Sequence, residues 1–294
     1  MDKAKYIEDI NYYFEVLRTN YGCYEYYGED IFLNAKNNII RQIENDININ
    51  DFINLIKKEL SFIKDGHFSI GNKKNYIDKF DYAVKYSYLY NIPLIDIKKF
   101  YSNNLEEEKQ LQDLSKKGFE YKKYKSLIID LRENSGGDCS PLYSFLKDLL
   151  NVSDLRYSYK YIQKYGKEFI EWLKKNNIDL NVSESLETAE EESSFINNDI
   201  KIYVLINSKS ASASEEAIAY LLNVENTTIV GTHTAGCFTC GNCFDIVLPN
   251  TKLVAYFGTG MILYEKVRNI DAEGGFFGSI SYEEFLSIIK NDRI

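Results

Sequence analysis

The sequence predicts an α/β fold in which a small helical domain precedes a larger core of alternating strands and helices. Three observations carry this. Apolar residues recur at helical spacing through residues 1–66. Beyond residue 85, short apolar runs end in turns of small residues that open directly onto helical patterns. The strand–turn–helix–strand order then repeats, which implies parallel pairing.

In the amino-terminal part, Ile7, Ile10, Tyr13, Phe14 and Leu17 share one helix face, and Asn20-Tyr21-Gly22 ends that run. A second amphipathic run covers residues 31–43, and a third follows Asp51, the expected N-cap for Phe52, Leu55, Ile56 and Leu60. Three packed helices are the expected result. Asp65-Gly66 then marks a turn, and the alternation of Phe68 and Ile70 marks a strand. His67 therefore sits where a turn meets a strand. The domains expected are residues 1–72, helical and carrying Asp-Gly-His, and residues 73–294, the core.

Within the core, tyrosine-rich strands are expected at residues 81–88 and 92–97, with a charged helix over 104–118. Leu127–Leu131 is a short apolar run of the buried, parallel kind. It continues into Arg132-Glu133-Asn134-Ser135-Gly136-Gly137-Asp138, and a helix follows with Pro141 in its first turn. A glycine pair there lets bare backbone amides face a ligand, although a plain tight turn has the same spacing. Residues 151–199 are polar and irregular, with a helical piece around Phe169–Lys175, and read as a cap-like excursion, with the acidic stretch at 184–192 a solvated face. Ile202–Ile206 is the next buried strand. It runs through Ser210, Ser212 and Ser214 into a helix, an arrangement that exposes a hydroxyl and leaves the first amides of the helix free for an oxyanion. Strands at 227–231, 244–248 and 252–257 and a last helix from about Tyr282 complete the chain.

Composition narrows the function classes. A net charge of −9 and a pI near 5.0 oppose nucleic acid as a partner, since phosphate binding needs a basic face. No apolar run reaches the length of a membrane span, and the first residues lack the apolar core of a secretory signal, so a cytoplasmic location is expected. The five cysteines form no paired framework of the kind found in small secreted domains. Cys237-x2-Cys240-x2-Cys243, with Cys139 as a fourth ligand, has spacings that suit zinc or an iron–sulfur cluster. Structural sites more often use two separated ligand pairs, and the reading adopted is no metal; a redox-sensitive thiol is the other role open to this loop.

The segments L-I-I-D-L-R-E-N-S-G-G-D, V-L-I-N-S-K-S-A-S-A-S-E-E and I-V-G-T-H-T-A-G occur in this order with compatible gaps. Together they resemble the core of the S41 serine peptidases, the tail-specific or C-terminal processing proteases. Asp65-Gly66-His67 and Glu273-Gly274-Gly275 resemble the flanking motifs of the tricorn-like branch, as does the helical amino terminus. The likeness runs from about residue 60 to the end, with no room for the PDZ domain of many members. It implies a ClpP/crotonase-like catalytic core and a serine-type endopeptidase or C-terminal processing peptidase, acting on peptides or unfolded proteins. By that resemblance the nucleophile is Ser212, although Ser210 and Ser214 are hydroxyls on the same turn. The family's serine–lysine branch places a lysine about twenty-five residues later; here Cys237 stands at that position, and Lys252 comes well beyond it. The resemblance therefore implies His67 as base and Glu273 as its carboxylate partner.

The chemistry agrees with those residue types. A serine hydroxyl needs a base poised near neutral pH, and a carboxylate fixes the imidazole tautomer. The amides of Ala213 and of Gly136 or Gly137 are the expected oxyanion donors, with the Ser135 hydroxyl a further one. His233 is expected to be a structural or rim residue. No metal or organic cofactor is required, and a homo-oligomer is compatible with the sequence. The competing reading is a catalytically inactive peptide- or ligand-binding protein on the same fold.

Overall fold

The computed structural model describes residues 2–45, 47–73, 78–178, 181–264 and 275–291. In chain order these form α1 (Lys3–Asn20), α2 (Tyr24–Tyr27), α3 (Glu29–Gln42), α4 (Ile49–Glu59), β1 (Ser69–Gly71), β2 (Val84–Leu89) and β3 (Ile92–Ile97). There follow α5 (Leu105–Leu114), α6 (Gly118–Tyr121), β4 (Ser126–Asp130), α7 (Ser140–Leu150), β5 (Tyr159–Tyr165), α8 (Lys167–Lys175) and β6 (Ser185–Glu191). The last are β7 (Lys201–Ile206), α9 (Ala213–Leu221), β8 (Thr227–Gly231), β9 (Cys240–Val247), β10 (Val254–Tyr264) and α10 (Tyr282–Asn291). Helices and sheets are mixed throughout, as an α/β fold requires.

Contacts divide the chain into two units. The first takes Met1–Tyr76, Lys160–Glu190 and Thr239–Tyr264; the second takes Ile77–Tyr159, Glu191–Phe238 and Glu265–Ile294. The chain thus returns twice to the first unit, which a single boundary near residue 72 does not anticipate.

In the first unit the helical pattern of residues 1–66 becomes α1, α3 and α4, with the one-turn α2 between α1 and α3. The cap of α4 is Asn48 rather than Asp51: the Asn48 side chain accepts from the amides of Asn50 and Asp51, both at 3.0 Å. The helix starts a turn earlier than expected, and Asp51 falls in its acidic first turn, where the helix dipole favours it. The sheet of this unit runs β1-β10-β5-β6, with β9 also paired to β10. The excursion at 151–199 contains the expected helical piece as α8 and, beyond it, supplies the two strands β5 and β6. Its acidic strand β6 is solvent-exposed at the sheet edge, where charge blunts further pairing. A disulfide joins Cys23 to Cys240, a pairing the cysteine pattern did not announce.

The second unit holds the sheet β2-β3-β4-β7-β8. β2 and β3 form an antiparallel hairpin, while β3–β4, β4–β7 and β7–β8 are parallel. Ile128, Tyr203, Leu205 and Val230 on three of these strands pack with Phe285 and Ile289 of α10 in one buried cluster. The helix expected over 104–118 ends at Leu114. Gly118 opens the short α6, where a Cβ would lie 2.2 Å from the Phe145 carbonyl oxygen of α7, so only glycine permits that approach. The parallel order brings the turns after β4 and β7 to neighbouring carboxyl ends of one sheet, where α/β sheets commonly bind ligands.

Candidate active site

The turn after β7 runs Asn207 to Ser212 and delivers α9. Ser212 occupies φ 57°, ψ −120°, a left-handed conformation that costs a serine about 1–3 kcal/mol. The three serines of this turn differ in what their hydroxyls do. Ser210 is fully buried and its Oγ donates to the Leu131 carbonyl at 2.8 Å. Ser214 is fully buried and its Oγ donates to the Ala211 carbonyl at 2.9 Å. Ser212 is half-buried at the apex between them. The backbone conformation thus separates hydroxyls that the sequence leaves equivalent.

The turn after β4 meets this one directly. The Asn134 carbonyl accepts from the Ala211 amide at 2.9 Å, and buried Asn134 donates through Nδ2 to the Ile97 carbonyl at 3.1 Å. Gly136 lies against the serine: a Cβ there would stand 2.7 Å from Ser212 Cβ and 3.2 Å from its Oγ. Gly136 and Gly137 have φ of 96° and 123°, values that glycine adopts freely. The Gly136 amide is already held by Asn134 Oδ1 at 2.8 Å. Among the described residues, no acceptor is found for the amides of Gly137 and Ala213. Ser135 is exposed on the same turn. At the rim, Glu133 ties both turns together. Its amide donates to Asn207 Oδ1 at 3.1 Å, and its carboxylate, held down to about 2 chiefly by Lys79, also meets Lys209.

His67 belongs to the first unit. Its ring Nδ1 lies 3.7 Å from Asp65 Oδ1, which also accepts the His67 backbone amide at 2.8 Å. Tyr21 donates its hydroxyl to Asp65 Oδ2 at 3.3 Å. Burial pushes the imidazole below its ordinary range, against the opposing pull of the Asp65 charge and the Cys240 backbone. The same burial pushes the Asp65 carboxyl up. Asp65, part of the Asp-Gly-His motif, carries a side-chain role that the sequence does not assign. Glu273, the expected partner of His67, lies outside the described residues. His233 places Nδ1 2.8 Å from the Thr234 carbonyl and packs against Phe277.

The cysteine loop does not assemble. Cys240 is bonded to Cys23, and Cys139 sits at the start of α7 with its thiol donating to Glu216 Oε2 at 3.3 Å. Burial pushes that thiol far above its usual range, so it is a poor thiolate. Cys237 and Cys243 are unbridged and half-buried. Among the described residues no group of histidine, cysteine or acidic side chains has metal-binding geometry. Lys252, the lysine beyond the Cys237 position, donates to the Pro249 carbonyl at 2.6 Å.

The structure thus brings Ser212, Ala213, Gly136 and Gly137 together on adjoining turns of the second unit. It also reveals Glu215 as a fully buried carboxylate beneath Ser212. The one signal for it in the sequence is its place three residues after a serine that opens a helix.

Comparison with known proteins places this geometry in a family. In structure the chain is similar to a putative peptidase from Parabacteroides merdae, with 16% identity, TM-score 0.61, and 98% of this chain and 93% of that one covered. It is also similar to a serine-to-alanine mutant of CPAF, with 9% identity, TM-score 0.60, and 98% and 96% covered. A third is a lipoprotein from Streptococcus agalactiae, with 17% identity, TM-score 0.56, and 99% and 97% covered. At such identities these likenesses speak for the fold. No curated protein matches the chain in sequence. No helix among the described residues is long and apolar enough to cross a membrane. The model of peptidase family S41 matches residues 91–275, from β3 past both turns of the site, and the chain therefore belongs to peptidase family S41.

Proposed function

We propose that the protein is a serine peptidase that hydrolyses peptide bonds in peptides or unfolded proteins, with Ser212 as nucleophile, His67 as general base and Glu273 as the carboxylate partner of the base. The observation that carries this reading is the state of Ser212: its backbone is strained, and it is less buried than the two bonded serines that flank it. Strain of this kind persists only where surrounding structure enforces it, and it clusters at functional sites.

In the reaction, His67 takes the proton of Ser212 Oγ as that oxygen attacks the scissile carbonyl, and later returns it to the leaving amine. The amides of Ala213 and Gly137 receive the oxyanion; that of Gly136 is engaged by Asn134 and instead shapes the turn. Asp65, whose Oδ1 is 3.7 Å from His67 Nδ1, favours the imidazolium that forms in the transition state. Water then releases the acyl group by the same steps. The product pattern of an endopeptidase or a C-terminal processing peptidase fits this chemistry equally.

Replacing Ser212 with alanine is expected to abolish both peptide hydrolysis and covalent labelling by a fluorophosphonate probe. Labelling that survives in Ser212→Ala would sink the assignment. A wild-type protein that binds unfolded peptide yet neither cleaves it nor takes the label would be a binding protein on this fold.

A further inference from the structure

We propose that Glu215 is a positioning residue for the nucleophile: its buried carboxylate locks the strained Ser212 turn to the 234–237 loop and, through Thr234, to Gly275–Phe276. This deepens the peptidase reading and rests on Ser212 being the nucleophile. All the groups concerned lie in the second unit.

Glu215 is fully buried, and four donors converge on it. Oε2 accepts the Ser212 amide at 2.9 Å and the Cys237 amide at 2.7 Å. Oε1 accepts the Thr234 hydroxyl at 2.6 Å and the Gly236 amide at 2.8 Å. The network continues outward, because Thr234 Oγ1 accepts the Phe276 amide at 2.8 Å, and the Thr234 amide donates to the Phe276 carbonyl at 2.9 Å. Gly275 sits on the pair: a Cβ there would lie 2.2 Å from Thr234 Oγ1 and 2.4 Å from Glu215 Oε1.

Three physical consequences follow from that geometry. First, every partner of the carboxylate donates, so both oxygens must accept, which is the condition a carboxylate meets and an amide cannot. Burial raises the Glu215 carboxyl, and the four donors oppose that rise. The first turn of α9 favours a negative charge at this position as well. Second, the bond to the Ser212 amide fixes the residue whose φ is 57°, so the carboxylate resists relaxation of the turn. Third, the Thr234–Phe276 pair of hydrogen bonds ties the loop that holds the carboxylate to Phe276. Residue 237, where the other branch of the family carries its lysine, here contributes a backbone amide to the same carboxylate.

The test is Glu215→Gln in the full chain, which keeps shape but turns an amide NH2 toward two donors. Active fraction is normalised by thermal melting, and kcat, KM and the fluorophosphonate labelling rate are measured with Ser212→Ala in parallel. We expect kcat and labelling rate to fall by about 100-fold, as displacement of a reacting group by about an ångström does, with KM changed less than about threefold. A loss of less than about tenfold in folded Glu215→Gln overturns the proposal, as does a loss carried by KM instead of kcat. Should Glu215→Gln fail to fold, Thr234→Val decides; it removes one donor and the link to Phe276, with about a tenfold fall in kcat expected and an unchanged kcat overturning the proposal. Labelling that survives in Ser212→Ala removes the nucleophile reading itself, whereas a Ser212-dependent label with an indifferent Glu215 removes only this proposal.

Discussion

The serine turn and the histidine turn are held in different ways. Around Ser212 the restraint is a closed hydrogen-bond net: Asn134 fastens the glycine turn to Ala211, and Glu215 fastens the serine amide to the loop beyond. Around His67 the restraint is burial. Among the described residues its ring Nδ1 is buried without a hydrogen-bond partner, and Asp65 Oδ1 stands at 3.7 Å. The neighbouring Tyr21, Phe68 and Phe257 pack their rings within about van der Waals reach of one another, with centroids 5.4–6.4 Å apart. A strained nucleophile needs a rigid net because its conformation would otherwise relax. A base must gain and lose a proton, and for it a dry setting that favours the neutral imidazole is the more useful restraint.

The largest effect that would break this comparison is loss of the base. His67→Ala is expected to lower kcat/KM by about 10²–10⁴-fold with the fold retained. Activity within tenfold of wild type would exclude His67 from catalysis. Next comes the net itself: Gly136→Ala forces a Cβ to 2.7 Å from Ser212 Cβ at a φ of 96°. A fall in kcat of about 10²-fold, the scale of a reacting group displaced by about an ångström, is expected from steady-state kinetics. The first unit is sharpened by its disulfide. Reduction, or Cys23→Ser, is expected to cost about 2–4 kcal/mol in urea unfolding, and an unchanged midpoint would contradict a stabilising bridge.

Two smaller effects separate strain from burial. Ser212→Gly and Ser212→Ala both remove the hydroxyl, but only glycine accepts φ 57° without strain. Ser212→Gly is therefore expected to be more stable than Ser212→Ala by about 1 kcal/mol in matched thermal melts. For His67 the sign follows from its lowered pKa. Between that pKa and the ordinary 6.5, the unfolded chain binds more protons than the native one, so the His67 contribution to stability is lost as pH falls through this window. The acid limb of kcat/KM, which requires neutral imidazole, is likewise expected below pH 6.5, and a limb above that value would contradict the burial account.

Much of this was legible in the chain. β3 and β8 fall at the residues their apolar runs mark, and the turns after β4 and β7 lie where glycines and serines interrupt the pattern. The misreadings have physical causes. β10 runs on to Tyr264 because Gly258 is a point of close approach and not a break; a Cβ there would lie 2.7 Å from the Gly241 carbonyl oxygen of β9. β6 is hidden because charged residues on an exposed edge mask the alternation that identifies strands, and β5 because polar Gln163 and Lys164 occupy its buried positions. Choosing among Ser210, Ser212 and Ser214 required the backbone, since the difference lies in which hydroxyls are buried against carbonyls. The roles of Glu215 and Asp65 are not legible in the sequence because a carboxylate's importance comes from the donors gathered around it, and several of those donors are distant in the chain.

The central claim is that one hydroxyl of three is set apart by strain and exposure. The direct measurement is to label the wild-type protein with a fluorophosphonate probe and map the modified peptide by mass spectrometry. The account predicts a single adduct on Ser212, with Ser210 and Ser214 unmodified. An adduct on either neighbour, or none on this turn, would contradict it.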